Sequence, residues 1–296
     1  MSFGQNTAPT SNSERPEFER PPVDSIAIGD VERPLGFFER LFQSEVVQRL
    51  NILIALIVIW QVYAWWLNDD LLFPSFTETA RMFWGDMQSG LLFNRTITSL
   101  QTLALGYGAG LAIAAAFTTF AVISKTGTRI LSTLTAMFNP LPAIALLPMA
   151  LIWFGLGTPS LVFVIIHSVL WAVALNTLSG FRAVPETLRM SGRNVGLKGA
   201  RYVALILIPA AFPSILSGLK IGWAFAWRTL VAAELVFGVS SRSGGIGWYI
   251  FEARNDLDTA RVFSGLLMVI VIGLLVESVI FRAIEARTVN AWGMQR

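Results

Sequence analysis

The 296-residue sequence has no cysteine and only one histidine. A chain without cysteine can form neither a disulfide nor a thiolate-bound metal site. One histidine excludes the paired-histidine motif HExxH of metalloproteases, and the phosphate-binding motif GxxxxGK(S/T) does not occur either. We therefore expect no metal site and no cofactor on this chain, and we expect that it does not hydrolyse ATP itself.

Charged residues are also scarce. They make up 14% of the chain, against about 25% in soluble globular domains, while hydrophobic residues reach 54%. The mean hydropathy of +0.61 agrees with that balance. The net charge is only +3, which gives no case for a nucleic-acid partner. The composition predicts an integral membrane protein with the lipid bilayer as its surroundings.

The amino-acid composition changes twice along the chain before its long apolar segments begin. Residues 1–34 are rich in Pro, Glu, Arg and Ser and hold few large apolar residues, which predicts a disordered cytoplasmic tail. Residues 35–50 place apolar side chains at intervals of three and four, the pattern of an amphipathic helix on the membrane surface. Residues 51–296 are predicted to form the transmembrane domain.

The fold class predicted for this domain is all-α, because its apolar runs have the length of membrane-spanning helices, about 20 residues. Pro140, Pro142 and Pro148 must interrupt the third span, so its broken part is expected to face protein or a water-lined cavity. A short amphipathic segment at 77–87 is expected to lie on the membrane or dip into it. The six candidate spans lie at about 50–67, 96–123, 130–154, 159–180, 212–238 and 262–283.

Basic residues are distributed unevenly between the segments that connect these spans. If the N-terminus is inside, the inner segments carry 15 of the 22 Lys and Arg residues and the outer segments carry 5. Because short cytoplasmic loops carry an excess of Lys and Arg, both termini are predicted to be cytoplasmic. The polar loop at about 183–205 then also lies in the cytoplasm.

This polar loop is predicted to begin with a short helix, because Pro185 and Glu186 are typical of a helix start. Its apolar side chains are flanked by basic ones, a combination that suits docking into a groove on a soluble partner. An ordinary loop that is basic because it faces the cytoplasm is an equal alternative from composition alone. The candidate docking residues are Glu186, Leu188, Met190, Arg193, Gly196, Leu197 and Lys198.

The same loop resembles the cytoplasmic signature of ATP-binding-cassette (ABC) importer permeases. That signature reads E-A-A, three residues, G, nine residues, I, one residue and L-P. Gly196 occupies the glycine position, Ile206 the isoleucine position, and Ile208 and Pro209 the Leu-Pro pair. Residues 190–192 read Met-Ser-Gly at the E-A-A positions, so the signature glutamate is absent.

Three further segments, 140–157, 208–235 and 244–255, are similar to the branch of this family that imports nitrate, taurine and alkanesulfonates. The resemblance covers about residues 45–295. It implies the type I importer fold, in the cytoplasmic (inner) membrane of a bacterium, with two permease copies forming the pathway. It also implies two cytoplasmic ATPase subunits, which bind ATP and Mg²⁺ and contact the loop at 183–205, called the coupling loop below. An extracytoplasmic binding protein would deliver the substrate.

The fifth span carries charges at membrane depth, where they are rare and usually face the bundle interior or a cavity. At about 100° per residue, Trp223, Trp227 and Glu234 share one face, and Arg228 lies to its side. Arg228 either lines a pathway for an anion, with the two tryptophans as gate walls, or pairs within the bundle and holds it together. The candidate pathway residues are Asn139, Trp223, Trp227, Arg228 and Glu234.

His167 lies inside the fourth span and is expected to be buried and hydrogen-bonded to a neighbouring helix; a proton relay or a ligand contact is the alternative. Glycines at 244–247 predict a turn or a contact with the binding protein.

An ion-coupled secondary transporter is the rival function, but such proteins commonly show matching broken helices in two halves, and only one span here is broken by prolines. The resulting hypothesis is the membrane subunit of an ATP-driven importer of a small anion such as a sulfonate, taurine or nitrate.

Overall fold

The computed structural model describes residues 45–237 and 244–290. The predicted tail at 1–34 lies outside the described residues, and so does the predicted surface helix at 35–50 apart from its residues 45–50. The chain divides into two units, residues 1–55 and 56–296. The described part of the first unit is helical throughout, and the second unit holds all the other described elements.

The described residues form helices and no strand, which confirms the all-α fold class. The first half of the chain contains α1 (Glu45–Leu67), α2 (Phe76–Gln88), α3 (Leu91–Ile123), α4 (Lys125–Phe138), a 3₁₀ turn (Ala143–Leu146), α5 (Leu147–Phe154) and α6 (Thr158–Ala183). The second half contains α7 (Glu186–Asn194), α8 (Gly199–Tyr202), a π segment (Val203–Leu207), α9 (Ile208–Phe237), α10 (Ile246–Asn255), α11 (Thr259–Leu275), a second π segment (Val276–Phe281) and α12 (Arg282–Arg287).

Five described helices are long and apolar enough to cross a membrane, and a sixth span results if one bent pair is counted as a single span. This agrees with the prediction of about six spans. In α1, the large apolar side chains between Leu56 and Trp66 are mostly exposed. Such a surface suits a helix that is surrounded by lipid, and the two tryptophans near its end suit the membrane interface.

The third predicted span is broken. Helix α4 and the helical segment Ala143–Phe154 meet at an angle of 87°. The break lies where Pro140 and Pro142 have no N–H to donate, and Pro142 caps the 3₁₀ turn that follows. Pro148 sits in the first turn of α5, where a missing N–H costs no hydrogen bond, so this proline does not break the helix. The predicted interruption is confirmed, and two of the three prolines cause it.

The fifth predicted span begins earlier than expected, because the helical path runs without a gap from Gly199 to Val236. The non-membrane loop is correspondingly shorter than the predicted range 183–205. A π segment makes this continuity possible: the N–H of Ile208 donates to the carbonyl of Val203, five residues back, immediately before Pro209. The wider π turn therefore accommodates Pro209 without interrupting the helix.

Helix α6 lies at the centre of the bundle and packs against α3 and α9. Glycines of α3 allow close approach of the two backbones. A Cβ atom on Gly106 would lie 2.6 Å from Cγ2 of Ile165, and one on Gly110 would lie 2.9 Å from Cβ of Val169. Gly108, between them, faces open space. Small residues at two of these three positions therefore set the distance between α3 and α6.

A buried carboxylate joins α2 to α10 and α11. The hydroxyl of Tyr249 donates to Oδ2 of Asp86 at 2.6 Å, and Nε of Arg261 donates to the same atom at 3.2 Å. Burial and the hydrogen bond to Asp86 raise the pKa of Tyr249, so its hydroxyl remains protonated at neutral pH.

Helix α2 begins with a capping box of Ser75 and Glu78. The short amphipathic segment predicted between the first two spans is thus confirmed as a helix.

Candidate functional site

A cavity of about 350 Å³ lies at the break of the bent pair. The break itself, one face of α6 and one face of α9 line it. The broken part of the third span therefore faces a cavity, one of the two surroundings that the sequence predicted. Its lining includes Phe138, Asn139, His167, Trp171 and Arg228.

Arg228 is the only charged residue among the described residues that line this cavity. Its Nε donates to the carbonyl of Ala224 in the same helix at 3.0 Å, and its Cζ lies 5.1 Å from the ring centroid of Phe225. The described residues place no acid in an ion pair with Arg228, so the sequence alternative of a bundle-holding ion pair is not observed. A lone guanidinium beside aromatic and amide groups gives the cavity a positive potential.

Two neighbouring side chains carry buried nitrogen atoms without a partner. Both ring nitrogens of His167 and Nε1 of Trp171 have no hydrogen-bond partner within the described parts of the chain. The expected hydrogen bond from His167 to a neighbouring helix is therefore wrong. The reason is that aromatic rings surround the imidazole: Phe138 and Trp171 meet it edge-on at centroid distances of 6.4 and 6.2 Å. Each unpartnered buried group costs roughly 1–3 kcal/mol.

Three of the five predicted pathway residues do not line this cavity. Trp223 packs edge-on against Tyr107 at 5.8 Å, and Nε1 of the buried Trp227 donates to the carbonyl of Val269 at 3.2 Å. Glu234 is fully buried elsewhere. These three share one face of α9, as the helical period predicted, but that face packs into the bundle. Their predicted place beside the substrate pathway stays a prediction.

Glu234 belongs to a buried polar cluster that sequence reasoning missed. Oγ of Ser99 lies 2.9 and 2.8 Å from its two carboxylate oxygens and accepts from the N–H of Ile246 at 2.8 Å. The N–H of Gly247 donates to Glu234 at 2.9 Å, so side chains of α3 and α9 cap the start of α10. A Cβ atom on Gly245 would collide with both Ser99 and Glu234. The close approach of the backbone to Ser99 and Glu234 thus explains why this stretch is rich in glycine. The sequence signal for this cluster was a run of glycines next to a span that contains a glutamate.

The coupling loop presents an exposed apolar surface. Leu188 and Met190 of α7 are 45% and 54% exposed, and Val195, directly after α7, is 73% exposed. Exposed Arg193 and Lys198 flank these side chains. An exposed apolar patch with a charged rim is the arrangement expected of a docking surface.

Helix α7 is held firmly against the rest of the bundle. Arg189 donates to the carbonyl of Val184 at 3.1 Å and to that of Phe181. Gly192 is buried, and a Cβ atom there would lie 2.8 Å from Cγ1 of Ile206. The small residue at the third E-A-A position is therefore required by packing against the π segment.

The remaining predicted residues of the coupling loop shape its ends. Glu186, in the first turn of α7, forms ion pairs with Arg193 at 3.5 Å and with Arg189 at 3.8 Å. Gly196 adopts a φ of +80°, a backbone conformation that favours glycine, and the N–H of Leu197 then donates back to the carbonyl of residue 192 at 3.1 Å. Lys198 is the residue that precedes α8.

A bundle of long apolar helices, a broken span beside a cavity lined with hydrogen-bond donors, and an exposed amphipathic helix define a membrane transport subunit. Within residues 45–237 and 244–290, no group of His, Cys, Asp or Glu is arranged to hold a metal ion. The chain belongs to the family described as "Binding-protein-dependent transport system inner membrane component", whose model matches residues 89–289. This segment includes the cavity and the coupling loop.

Curated relatives agree with this family. The chain is 28% identical to the nitrate import permease protein NrtB of Synechocystis sp. over 83% of its own length and 90% of the relative. It is 32% identical to the taurine transport system permease protein TauC of Escherichia coli over 52% of its length and 55% of the relative. It is 27% identical to the bicarbonate transport system permease protein CmpB of Synechococcus elongatus over 65% and 68%. The predicted resemblance to ABC importer permeases of the nitrate and taurine branch is confirmed, and the chain is a multi-pass membrane protein and a transport subunit.

Proposed function

We propose that this chain is the pathway-forming subunit of an ATP-driven importer of a small oxyanion, such as nitrate, bicarbonate or a sulfonate. It is proposed to lie in the cytoplasmic membrane of a bacterium with both termini inside, since that orientation places most of its Lys and Arg on the cytoplasmic side. The observation that carries the proposal is the cavity at the helix break, where Arg228 is the one charged lining residue among those described. The substrates named for the relatives support an oxyanion.

ATP and Mg²⁺ are proposed to bind to a separate ATPase, because the sequence has no P-loop motif. The apolar surface of Leu188, Met190 and Val195 would dock into a groove on that ATPase, with Arg193 and Lys198 at its rim. Glu186, in the first turn of α7, or Arg193, in its last turn, is the candidate to replace the missing signature glutamate. Arg189 bonds α7 to the end of α6, and Gly192 packs against Ile206 of the π segment that precedes α9, so a push on α7 would be passed on to both helices.

The complete transporter is proposed to contain two copies of this chain, two ATPase subunits and an extracytoplasmic binding protein. The family description, which names a binding-protein-dependent system, supports the last of these. The experiment is purification of the tagged chain from its native host, identification of the chains that copurify, and assay of the complex in proteoliposomes. ATP hydrolysis stimulated by nitrate, bicarbonate, taurine or an alkanesulfonate supports the proposal.

Two outcomes of this assay contradict the proposal. Uptake that continues without ATP but stops when an uncoupler dissipates the proton gradient would indicate an ion-coupled secondary transporter instead. Unchanged uptake by an Arg228→Leu variant that assembles less complex would show that Arg228 only holds the bundle. Arg254→Leu is the matched control, since Arg254 is an exposed arginine of α10 away from the cavity.

A further inference from the structure

Three buried nitrogen atoms at one cavity lack a partner among the described residues: Nδ1 and Nε2 of His167 and Nε1 of Trp171. They are half of the six buried side-chain atoms without a partner in the described residues. Trp171 is only 8% exposed, so its N–H is also shielded from bulk water. Buried polar groups are almost always hydrogen-bonded. Several unpartnered nitrogens at one cavity therefore point to a ligand that forms hydrogen bonds with them.

These nitrogens share the cavity with a cation. His167 and Trp171 are one helical turn apart on α6, so they belong to the same face. Arg228 of α9 lines the same cavity, and the hydrogen bond of its Nε to Ala224 leaves its two terminal nitrogens without a partner among the described residues. Asn139 adds a side-chain amide from the break. The cavity therefore collects donors from three different elements.

The chemistry of these groups suits an oxyanion. An indole N–H and a guanidinium can only donate, and an imidazole has at least one N–H in either tautomer. A cation would meet no counter-charge, because no Asp or Glu of the described segments lines the cavity. The volume of about 350 Å³ holds a small oxyanion with several waters, each of which takes about 30 Å³ in the liquid.

The ring of Phe138 contacts both rings that carry the unpartnered nitrogens. Its ring stacks on Trp171 with centroids 5.3 Å apart and planes inclined by 15°, and it meets His167 edge-on. Phe138 is also the last residue of α4, directly before the break at Asn139. A change of backbone at the break therefore moves this ring.

We propose that His167, Trp171 and Arg228 form a binding subsite for a small, singly charged oxyanion, which becomes accessible when the ring of Phe138 moves off Trp171. This subsite rests on the proposed function, since it gives the transported anion a defined position within the pathway. His167 and Trp171 contact the anion, and Phe138 is a positioning residue that controls access.

The test titrates the full-length chain, in nanodiscs of zwitterionic lipid, with sodium nitrate and sodium ethanesulfonate by isothermal titration calorimetry. Sodium chloride is the spherical anion for comparison. We expect saturable binding of both oxyanions and weaker binding of chloride. Trp171→Phe and His167→Leu should each weaken oxyanion binding about tenfold, which corresponds to the loss of one charge-assisted hydrogen bond. His167→Gln, which keeps a side-chain donor, should retain most of the affinity.

Two further measurements separate binding from structure. His167→Leu should leave the melting temperature unchanged or raise it, because the nitrogens that it removes have no partner; a merely structural histidine would lower it. Phe138→Leu should strengthen binding, since the stacked ring no longer covers Trp171. Trp66→Phe is the matched control on the exposed end of α1 and should change neither quantity.

Unchanged oxyanion affinity in both Trp171→Phe and His167→Leu overturns the subsite, and so does equal affinity for chloride and nitrate. ATP-driven uptake by the purified complex distinguishes this failure from that of the proposed function. If the wild type takes up an oxyanion with ATP and both variants do so with the same KM, only the subsite is wrong. If the wild type shows no ATP-driven uptake, the proposed function is wrong.

Discussion

Oγ of Ser99 lies within 2.9 Å of both carboxylate oxygens of Glu234, a residue 135 positions away in the sequence. The same hydroxyl oxygen accepts from the N–H of Ile246. One small side chain of α3 therefore connects α9 to the start of α10.

Ser99→Ala removes this connection: among the described residues it leaves the buried N–H of Ile246 without a partner and the buried carboxylate of Glu234 with only the N–H of Gly247. We expect a loss of about 1–3 kcal/mol in the free energy of unfolding. The measurement is the melting temperature of the purified protein by intrinsic fluorescence, for which the chain has 10 tryptophans. Thr98→Ala is the matched control, because its exposed hydroxyl bonds only within α3. Equal melting temperatures for the two variants would contradict the expectation.

Gly106→Ala and Gly108→Ala form a second matched pair on α3. The added methyl group at Gly106 would lie 2.6 Å from Ile165, whereas that at Gly108 meets nothing within 4 Å. We expect Gly106→Ala to destabilise the bundle by about 1–3 kcal/mol through overpacking. Gly108→Ala should be neutral or stabilising by up to about 1 kcal/mol, because alanine favours helix. The yield of monodisperse protein and its melting temperature measure both effects, and a reversed order would show that α3 and α6 pack differently.

The raised pKa of Tyr249 predicts a loss of stability at high pH. An unfolded tyrosine has a pKa of about 10, and in the folded protein burial and Asp86 raise it further. The contribution of Tyr249 to stability is therefore complete below about pH 10 and decreases as the pH rises above that value. Between about pH 9 and pH 11, the melting temperature of the wild type should fall more steeply than that of Tyr249→Phe. Tyr63→Phe, on the exposed surface of α1, should follow the wild type.

Leu188→Asp should detach the proposed ATPase while leaving the membrane bundle folded. Leu188 is exposed, so the substitution removes an apolar docking group without disturbing the packing of α7. Truncation of a central apolar group at an interface costs about 2 kcal/mol, or more than tenfold in affinity. The amount of copurified ATPase measures the effect, with Thr187→Asp as the control for added charge. An unchanged yield of ATPase would place the docking surface elsewhere.

Local patterns in the sequence predicted much of the fold. The apolar runs predicted the spans, and Pro140 and Pro142 predicted the break, because each of these features acts within a few residues. The helical period also placed Trp223, Trp227 and Glu234 on one face. It could not tell whether this face meets a cavity or the core, because that depends on which helix lies opposite.

The contacts that were missed join distant parts of the chain. The hydrogen bond from Tyr249 to Asp86 links residues 163 positions apart, and the one from Ser99 to Glu234 is similarly remote. The spacing of residues along the chain carries no information about such long-range pairs. The unpartnered nitrogens of His167 were missed for the opposite reason: a lone histidine in a span usually finds a partner, and only the surrounding rings show that this one does not.

The bend between α4 and the following segment affects how far a solute must travel without water. Helix α4 has 14 residues, which extend about 20 Å, whereas the hydrocarbon region of a bilayer is about 30 Å thick. Because the chain then turns by 87°, this helix reaches only part of the way across. If the proposed pathway passes the break, a charged solute would give up its hydration over a shorter distance there than beside a straight helix.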